Sequence, residues 1–231
     1  MRLKFGVVVF PGSNCDHDSY NVLKHILDQE TVYLWHKDTD LQNCDVIILP
    51  GGFSYGDYIR TGAVAKLSQI MNSVIDFANK GGIVFGICNG FQILTESGLL
   101  PGTLIKNKNL KFVCKDVYVT AVNGDSILTK SLAKKTLMTP IAHGDGNYFT
   151  DEETLKSIEK NNQILFKYSS DKGEISETCN PNGSIENIAG LMNKNGNVFG
   201  MMPHPERSSD VLLGKTDGLQ IFNSLLQNFI N

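Results

Sequence analysis

An α/β fold is predicted for this 231-residue chain: an open, mostly parallel central sheet with helices on both faces, followed by a β-rich second half. Three observations predict it. Apolar runs of strand length alternate with helical periodicity through about the first hundred residues, the pattern of parallel βαβ units. The first run, Phe5-Gly6-Val7-Val8-Val9-Phe10, is apolar at every position, as a strand covered on both faces requires. From Thr103 to about Val122 the pattern turns to strand-like alternation around Phe112, Cys114, Val117 and Val119.

Element by element, the first strand ends at Pro11-Gly12, and Ser13 or Asn14 is placed to cap a helix running toward Gln29. Val22, Leu23, Ile26 and Leu27 form its apolar face. Thr31 to Trp35 and Asp45 to Leu49 read as the next two strands. Gly62 to Asn79 carries Val64, Leu67, Ile70, Met71, Val74, Ile75 and Ala78 at helical spacing, and Lys80-Gly81-Gly82 stops that helix. Ile83 to Gly86 returns as a strand. No long helix is expected between Val122 and the carboxy terminus, and Asn180-Pro181-Asn182-Gly183 and Asn193 to Asn197 read as turns. Asp217 to Ile230, with Thr216 as cap and Leu219, Phe222, Leu225, Leu226 and Phe229 on one face, reads as a core-covering amphipathic helix. No Pro-, Gly- or Ser-rich linker splits the chain, so residues 1–231 are expected to form a single domain.

Composition removes several function classes. A hydrophobic share of 41% with 19% charged residues is that of a folded globular chain. The net charge of −3 provides no positive field for a nucleic-acid backbone. No apolar run approaches the roughly 20 residues that span a bilayer. Met1-Arg2-Leu3-Lys4 and the run behind it lack the length and cleavage pattern of a secretory signal, so a first strand is the better reading. The five cysteines, Cys15, Cys44, Cys88, Cys114 and Cys179, contain no C-x-x-C pair and imply reduced thiols in cytoplasm rather than a zinc cage.

Gly86-Ile87-Cys88-Asn89-Gly90 follows a buried strand and opens a helix, a nucleophile elbow with sulfur in place of oxygen. A turn that tight crowds the backbone, so a β-carbon at either flank would collide. Cys88 is thereby presented at a helix amino terminus, where unpaired N–H groups and the dipole favour thiolate, and the Asn89 N–H is aimed at a developing oxyanion. The thiol needs a base, and His17, His25, His36, His143 and His204 are the choices. His204 lies in Met202-Pro203-His204-Pro205-Glu206-Arg207, pinned by two prolines. Glu206, two residues on in what reads as an extended segment, points to the same side and can orient the imidazole. His143, in Ala142-His143-Gly144-Asp145-Gly146, is the rival base and reads as flexible loop closer to substrate binding. Gly51-Gly52-Phe53, leaving the carboxyl end of a strand, can supply a second oxyanion donor. Neither G-x-x-x-x-G-K-[ST] nor G-x-G-x-x-G occurs, so autonomous ATP or NAD binding is disfavoured.

These residues resemble class I triad-type glutamine amidotransferases, with Gly86 to Gln92 as elbow and His204-Pro205-Glu206 as the remaining pair. Within them the chain is similar from end to end to the glutaminase subunits of phosphoribosylformylglycinamidine synthases, which share the wording of Pro11 to Asp16, Gly51 to Arg60, Asn180 to Ser184 with Asn187 to Gly190, and Met202 to Arg207. The resemblance implies a flavodoxin-like amidotransferase fold and hydrolysis of L-glutamine to glutamate and ammonia through a Cys88 thioester, with His204 relaying protons and Glu206 orienting it. It implies that Gly52 or Phe53, beside Gly51, joins Asn89 in the oxyanion hole, and that Gln92 and the His143-Gly144 loop contact the amino-acid end of glutamine. It further implies no cofactor in this chain, with ATP and Mg on a large synthetase subunit and a small bridging subunit in the same complex. Asp145 stands where the family usually has Glu, and Asn147 where some members carry a basic residue.

Two other readings compete. A peptidase-like cysteine hydrolase on the same sheet would carry a His directly after the nucleophile, where Asn89 stands. A subunit that only docks would not need Cys88, His204 and Glu206 together.

Overall fold

In the computed structural model residues 2–229 are described; Met1, Ile230 and Asn231 lie outside them, and with them the end of the predicted terminal helix. In chain order the elements are β1 (Lys4–Val9), α1 (Asp16–Asn21), β2 (Glu30–Trp35), β3 (Val46–Leu49), α2 (Gln69–Asn79), β4 (Ile83–Ile87) and α3 (Asn89–Glu96). They continue as β5 (Thr103–Ile105), β6 (Val113–Ala121), β7 (Thr136–His143), β8 (Asn147–Phe149), α4 (Glu152–Lys160), β9 (Ile164–Ser169), β10 (Ile188–Met192), β11 (Val198–Met201) and α5 (Leu219–Asn228). The chain divides into two compact units, Met1–Pro101 with Asn197–Gly200, and Gly102–Gly196 with Met201–Asn231.

The first unit is the predicted parallel α/β half. Its strand order is β2-β1-β3-β4-β11, and β1 pairs parallel with both β2 and β3, as β3 does with β4. All four residues of β3 are buried, matching their unbroken apolar run. The order reverses between β1 and β3, which makes that boundary a topological switch point with the Pro11 and Pro50 loops at its carboxyl edge.

Two predicted helices are shorter than their periodicity suggested. The first starts at Asp16 behind Cys15 and widens into a π-helical turn over Val22–Ile26. Neither Ser13 nor Asn14 caps it. The Ser13 hydroxyl accepts from the Phe10 N–H at 3.2 Å and lies 3.0 Å from the Asp16 carboxylate, so it is spent on the turn itself. The Gly62–Asn79 helix is broken at Ser68, whose ψ of 146° separates a 3₁₀ turn (Ala65–Leu67) from α2. Leu67 points to solvent as a result. The Lys80-Gly81-Gly82 stop forms as expected, with Gly81 at φ +91° and the Gly82 N–H bonded to the Phe77 carbonyl.

In the second unit β10-β9-β6-β7 is antiparallel throughout, and β5 and β8 form a separate antiparallel ribbon. Helix α4 was not expected. Its marks are a capping Asp151, whose carboxylate accepts from the Thr154 N–H at 2.8 Å, and two glutamates in the first turn. The carboxy-terminal helix begins at Leu219 rather than Asp217, because the Asp217 carboxylate is taken by the Met138 N–H at 2.8 Å, and Thr216 contributes only its backbone carbonyl. A β-carbon on Gly218 would run into the Pro205 carbonyl, so this helix starts hard against the segment that follows His204. No helix among the described residues is long and apolar enough to cross a membrane.

Candidate active site

In the first unit, Cys88 stands between β4 and α3 at φ 51°, ψ −104°, a left-handed conformation that costs a non-glycine residue energy. The flanking glycines show why it persists. A β-carbon on Gly86 would lie 2.6 Å from the Gly90 backbone, and one on Gly90 would overlap the Leu49 carbonyl at the end of β3. The elbow therefore packs backbone to backbone against the neighbouring strand, and Cys88 is buried within it. Asn89 and Gly90 open α3, so their N–H groups are among the first-turn donors that no helical carbonyl can satisfy.

The Asn89 side chain ties the elbow to the second glycine loop. Its Oδ1 accepts from the Ser54 N–H at 3.1 Å, and its Nδ2 donates to Gln92 Oε1 at 2.8 Å. Gln92 is thus buried and oriented by Asn89. The Gly51 to Tyr55 segment is laced to the Pro11 loop. Gly51 O accepts from the Asn14 and Cys15 N–H groups, the Phe53 N–H donates to Gly12 O at 3.0 Å, and the Tyr55 N–H donates to Pro11 O at 2.6 Å. Phe53 is therefore committed, which removes its N–H from the choice of oxyanion donors. Gly52 lies at φ +141°, where a β-carbon would come within 2.6 Å of the Asn14 nitrogen, and its N–H makes no hydrogen bond among the described residues. Of the two residues named for this role, Gly52 has the available donor.

In the second unit, His204 Nδ1 lies 2.6 Å from Glu206 Oε1, and both side chains are buried. The contact does not arise from extended alternation as expected. Pro205–Ser208 is a 3₁₀ turn opened by proline, and it folds Glu206 back under the imidazole. The His204 N–H donates to the Pro140 carbonyl of β7 at 2.8 Å. His143 corrects the sequence reading further: it is the last residue of β7 and is buried, not a residue of a flexible loop. Burial, reinforced by neighbouring His204, pushes its pKa down to about 4, so it is neutral at pH 7 and a weak base. Its Nδ1 lies 3.1 Å from Asn107 Oδ1. Gly144 follows it and accepts from the Asn107 N–H at 2.8 Å.

The sequence profile of the CobB/CobQ-like glutamine amidotransferase domain matches residues 2–218. The chain belongs to this glutamine amidotransferase family. A relative from Koribacter versatilis, a phosphoribosylformylglycinamidine synthase subunit PurQ, is 55% identical over 97% of this chain and 97% of its own. One of the same name from Synechocystis is 56% identical over 95% and 99%. A chain in the structure of PurLQS from Thermotoga maritima is 42% identical, covers 98% of this chain and 99% of its own, and superposes with a TM-score of 0.86.

Seen as an amidotransferase, the remaining candidates sort by partner. His36 is a structural side chain, buried with its Nδ1 2.6 Å from the Tyr55 hydroxyl, and His17 pairs with the Tyr33 hydroxyl at 3.1 Å. Among the other thiols Cys15 and Cys44 are buried, Cys114 is exposed and Cys179 half-buried; burial raises the Cys44 pKa to about 11. The sequence reading missed Asn107, which no motif marks. It gave no role to Asn182, read as a turn residue, or to Ser184, named only in the family wording, whereas Asn182 Nδ2 donates to Gly146 O at 2.7 Å and Ser184 Oγ accepts from the Tyr148 N–H at 3.0 Å. Those bonds hold the segment that follows His143.

Proposed function

We propose that this amidotransferase hydrolyses L-glutamine to glutamate and ammonia and hands the ammonia to a large synthetase subunit that makes formylglycinamidine ribonucleotide in purine biosynthesis. Cys88 Sγ attacks the carboxamide carbon, and the oxyanion of the tetrahedral intermediate is held by the Gly52 and Asn89 N–H groups. His204, its tautomer fixed by Glu206, takes the thiol proton and gives it to the departing nitrogen, so that ammonia leaves and a γ-glutamyl thioester remains. Water, deprotonated by His204, then attacks the thioester; glutamate departs and the thiol is restored. Gln92 and the His143-Gly144 segment recognise the amino-acid end of the substrate. ATP and Mg act on the synthetase subunit, a small subunit bridges the two, and the complex works in the cytoplasm.

The observation that carries this reading is the strained, glycine-flanked Cys88 at a helix amino terminus in a chain of this family. The synthetase partner rests on the names of the PurQ and PurLQS relatives. An electrophilic glutamine analogue followed by peptide mass spectrometry tests the nucleophile: label confined to Cys88 and blocked by glutamine is expected, with Cys88→Ser inactive. Label on exposed Cys114 instead, or activity surviving in Cys88→Ser, would overturn it. Turnover of the isolated chain is expected to be weak and strongly stimulated by the synthetase, and equal turnover with and without it would defeat the coupling.

A further inference from the structure

Asn107 is wholly buried in the second unit, and both ends of its amide are engaged. Nδ2 donates to the carbonyls of Lys111 at 2.8 Å and His143 at 2.9 Å, while Oδ1 accepts from the Gly146 N–H at 3.0 Å. This set fixes the amide's orientation, because the flipped group would point its oxygen at two carbonyls and its NH₂ at an N–H. The contact from Oδ1 to His143 Nδ1 at 3.1 Å is then a donation by the imidazole. His143 is consequently the tautomer with the proton on Nδ1 and a bare lone pair on Nε2. Its ring is also held in place, since a β-carbon on Gly146 would overlap it.

That bare Nε2 is buried and makes no hydrogen bond among the described residues. Native interiors seldom leave an acceptor so, and a ligand is one reason they do. The ring ends the strand to which the His204 backbone is bonded through Pro140. We infer that Asn107 is a positioning residue for substrate recognition, locking His143 so that its Nε2 accepts an N–H of glutamine. The inference rests on the reading of this site as a glutaminase and adds to it the direction of one hydrogen bond and the residue that sets it. A neutral ring serves this purpose and a cationic one opposes it, because the imidazolium carries a proton on both nitrogens and repels an ammonium.

Asn107→Asp provides the test. One carboxylate oxygen still accepts from Nδ1–H and the Gly146 N–H, the other loses the two donations and faces the Lys111 and His143 carbonyls, and the added charge favours the imidazolium, turning Nε2 into a donor. In the reconstituted complex KM for glutamine is expected to rise about tenfold or more, with kcat changed by less than about threefold. The Cys88 alkylation rate with iodoacetamide serves as the control for an intact elbow. Imidazole ¹⁵N spectra of the full chain should show His143 protonated on Nδ1 alone in the wild type and on both nitrogens in Asn107→Asp. If Asn107→Asp does not fold, the wild-type spectrum still reads the tautomer, and adding glutamine to Cys88→Ser should shift the Nε2 resonance. 4-Carbamoylbutanoate, which lacks the α-amino group, assigns the donor: a difference between wild type and variant that vanishes with it marks the α-ammonium, and one that persists marks the carboxamide. A proton on Nε2 in the wild type, no Nε2 shift with glutamine, or an unchanged KM with a cationic His143 would overturn the inference. Activity in Cys88→Ser would instead defeat the glutaminase reading itself.

Discussion

The elbow around Cys88 and the turn around His204 hold their proposed catalytic groups by different means. At the elbow the restraint is backbone against backbone: Gly90 has no room for a single added carbon beside the Leu49 carbonyl, and Cys88 is kept in a strained conformation by that fit. At the His204 turn the restraint is side chain against side chain, a 2.6 Å contact to Glu206 delivered by a proline-opened 3₁₀ turn. The difference separates fold from chemistry. Substitutions of the elbow glycines should cost the fold, whereas substitutions at the turn should cost turnover in a chain that remains folded.

Gly90→Ala is the strongest way to probe the first half of that contrast. Its β-carbon meets a strand backbone that cannot give, so a stability loss of about 3 kcal/mol or more is expected, with little soluble protein. Urea denaturation of whatever folds measures it, and a loss below about 1 kcal/mol would show the elbow to be plastic. Glu206→Gln probes the other half. The amide oxygen can still accept from His204 Nδ1–H, but the negative charge that stabilises the imidazolium is gone; kcat is expected to fall roughly 10³-fold while the melting temperature stays within a few degrees. A collapse in stability instead would blur the distinction between the two regions.

A pH series sharpens the comparison within the second unit. His143 is depressed to about 4 when folded, from an ordinary value of 6.5, so between these the unfolded chain binds the proton and the folded one does not. The stability this provides is complete above about pH 6.5 and is lost as pH falls toward 4, up to about 3 kcal/mol. Denaturation at pH 7 and pH 4.5 should therefore show a steeper acid loss in the wild type than in His143→Gln. Arg60→Ala should matter least. Its guanidinium grips the buried Glu96 carboxylate at 2.7 and 2.6 Å, yet Arg60 itself is largely exposed, so less than about 1 kcal/mol is expected from thermal melts.

What the sequence made legible follows the same division. Gly86 and Gly90 could be read because steric exclusion leaves only one residue type, and the apolar run of β3 could be read because burial on both faces leaves few others. The break at Ser68 could not, since Val64 and Leu67 keep helical spacing through a segment whose backbone turns away. Helix α4 escaped notice because its apolar stripe is thin and only Ile158 is buried, so its caps carry the signal. His143 misled because glycines on either side of Asp145 resemble a mobile loop, when Gly146 is small to make room for the ring. Asn107 left no trace at all: its role comes from four contacts with atoms distant or main-chain, which no local pattern records.

The lacing of Gly12 and Gly52 has an evolutionary corollary. Each glycine is required by the other segment's main chain, Gly12 by the Phe53 carbonyl and Gly52 by Asn14 and Ser13. Residues 11–16 and 51–56 should therefore be inherited as one cassette. A graft that transplants either stretch alone from a divergent homologue would import a mismatch, while moving both together should preserve the donor.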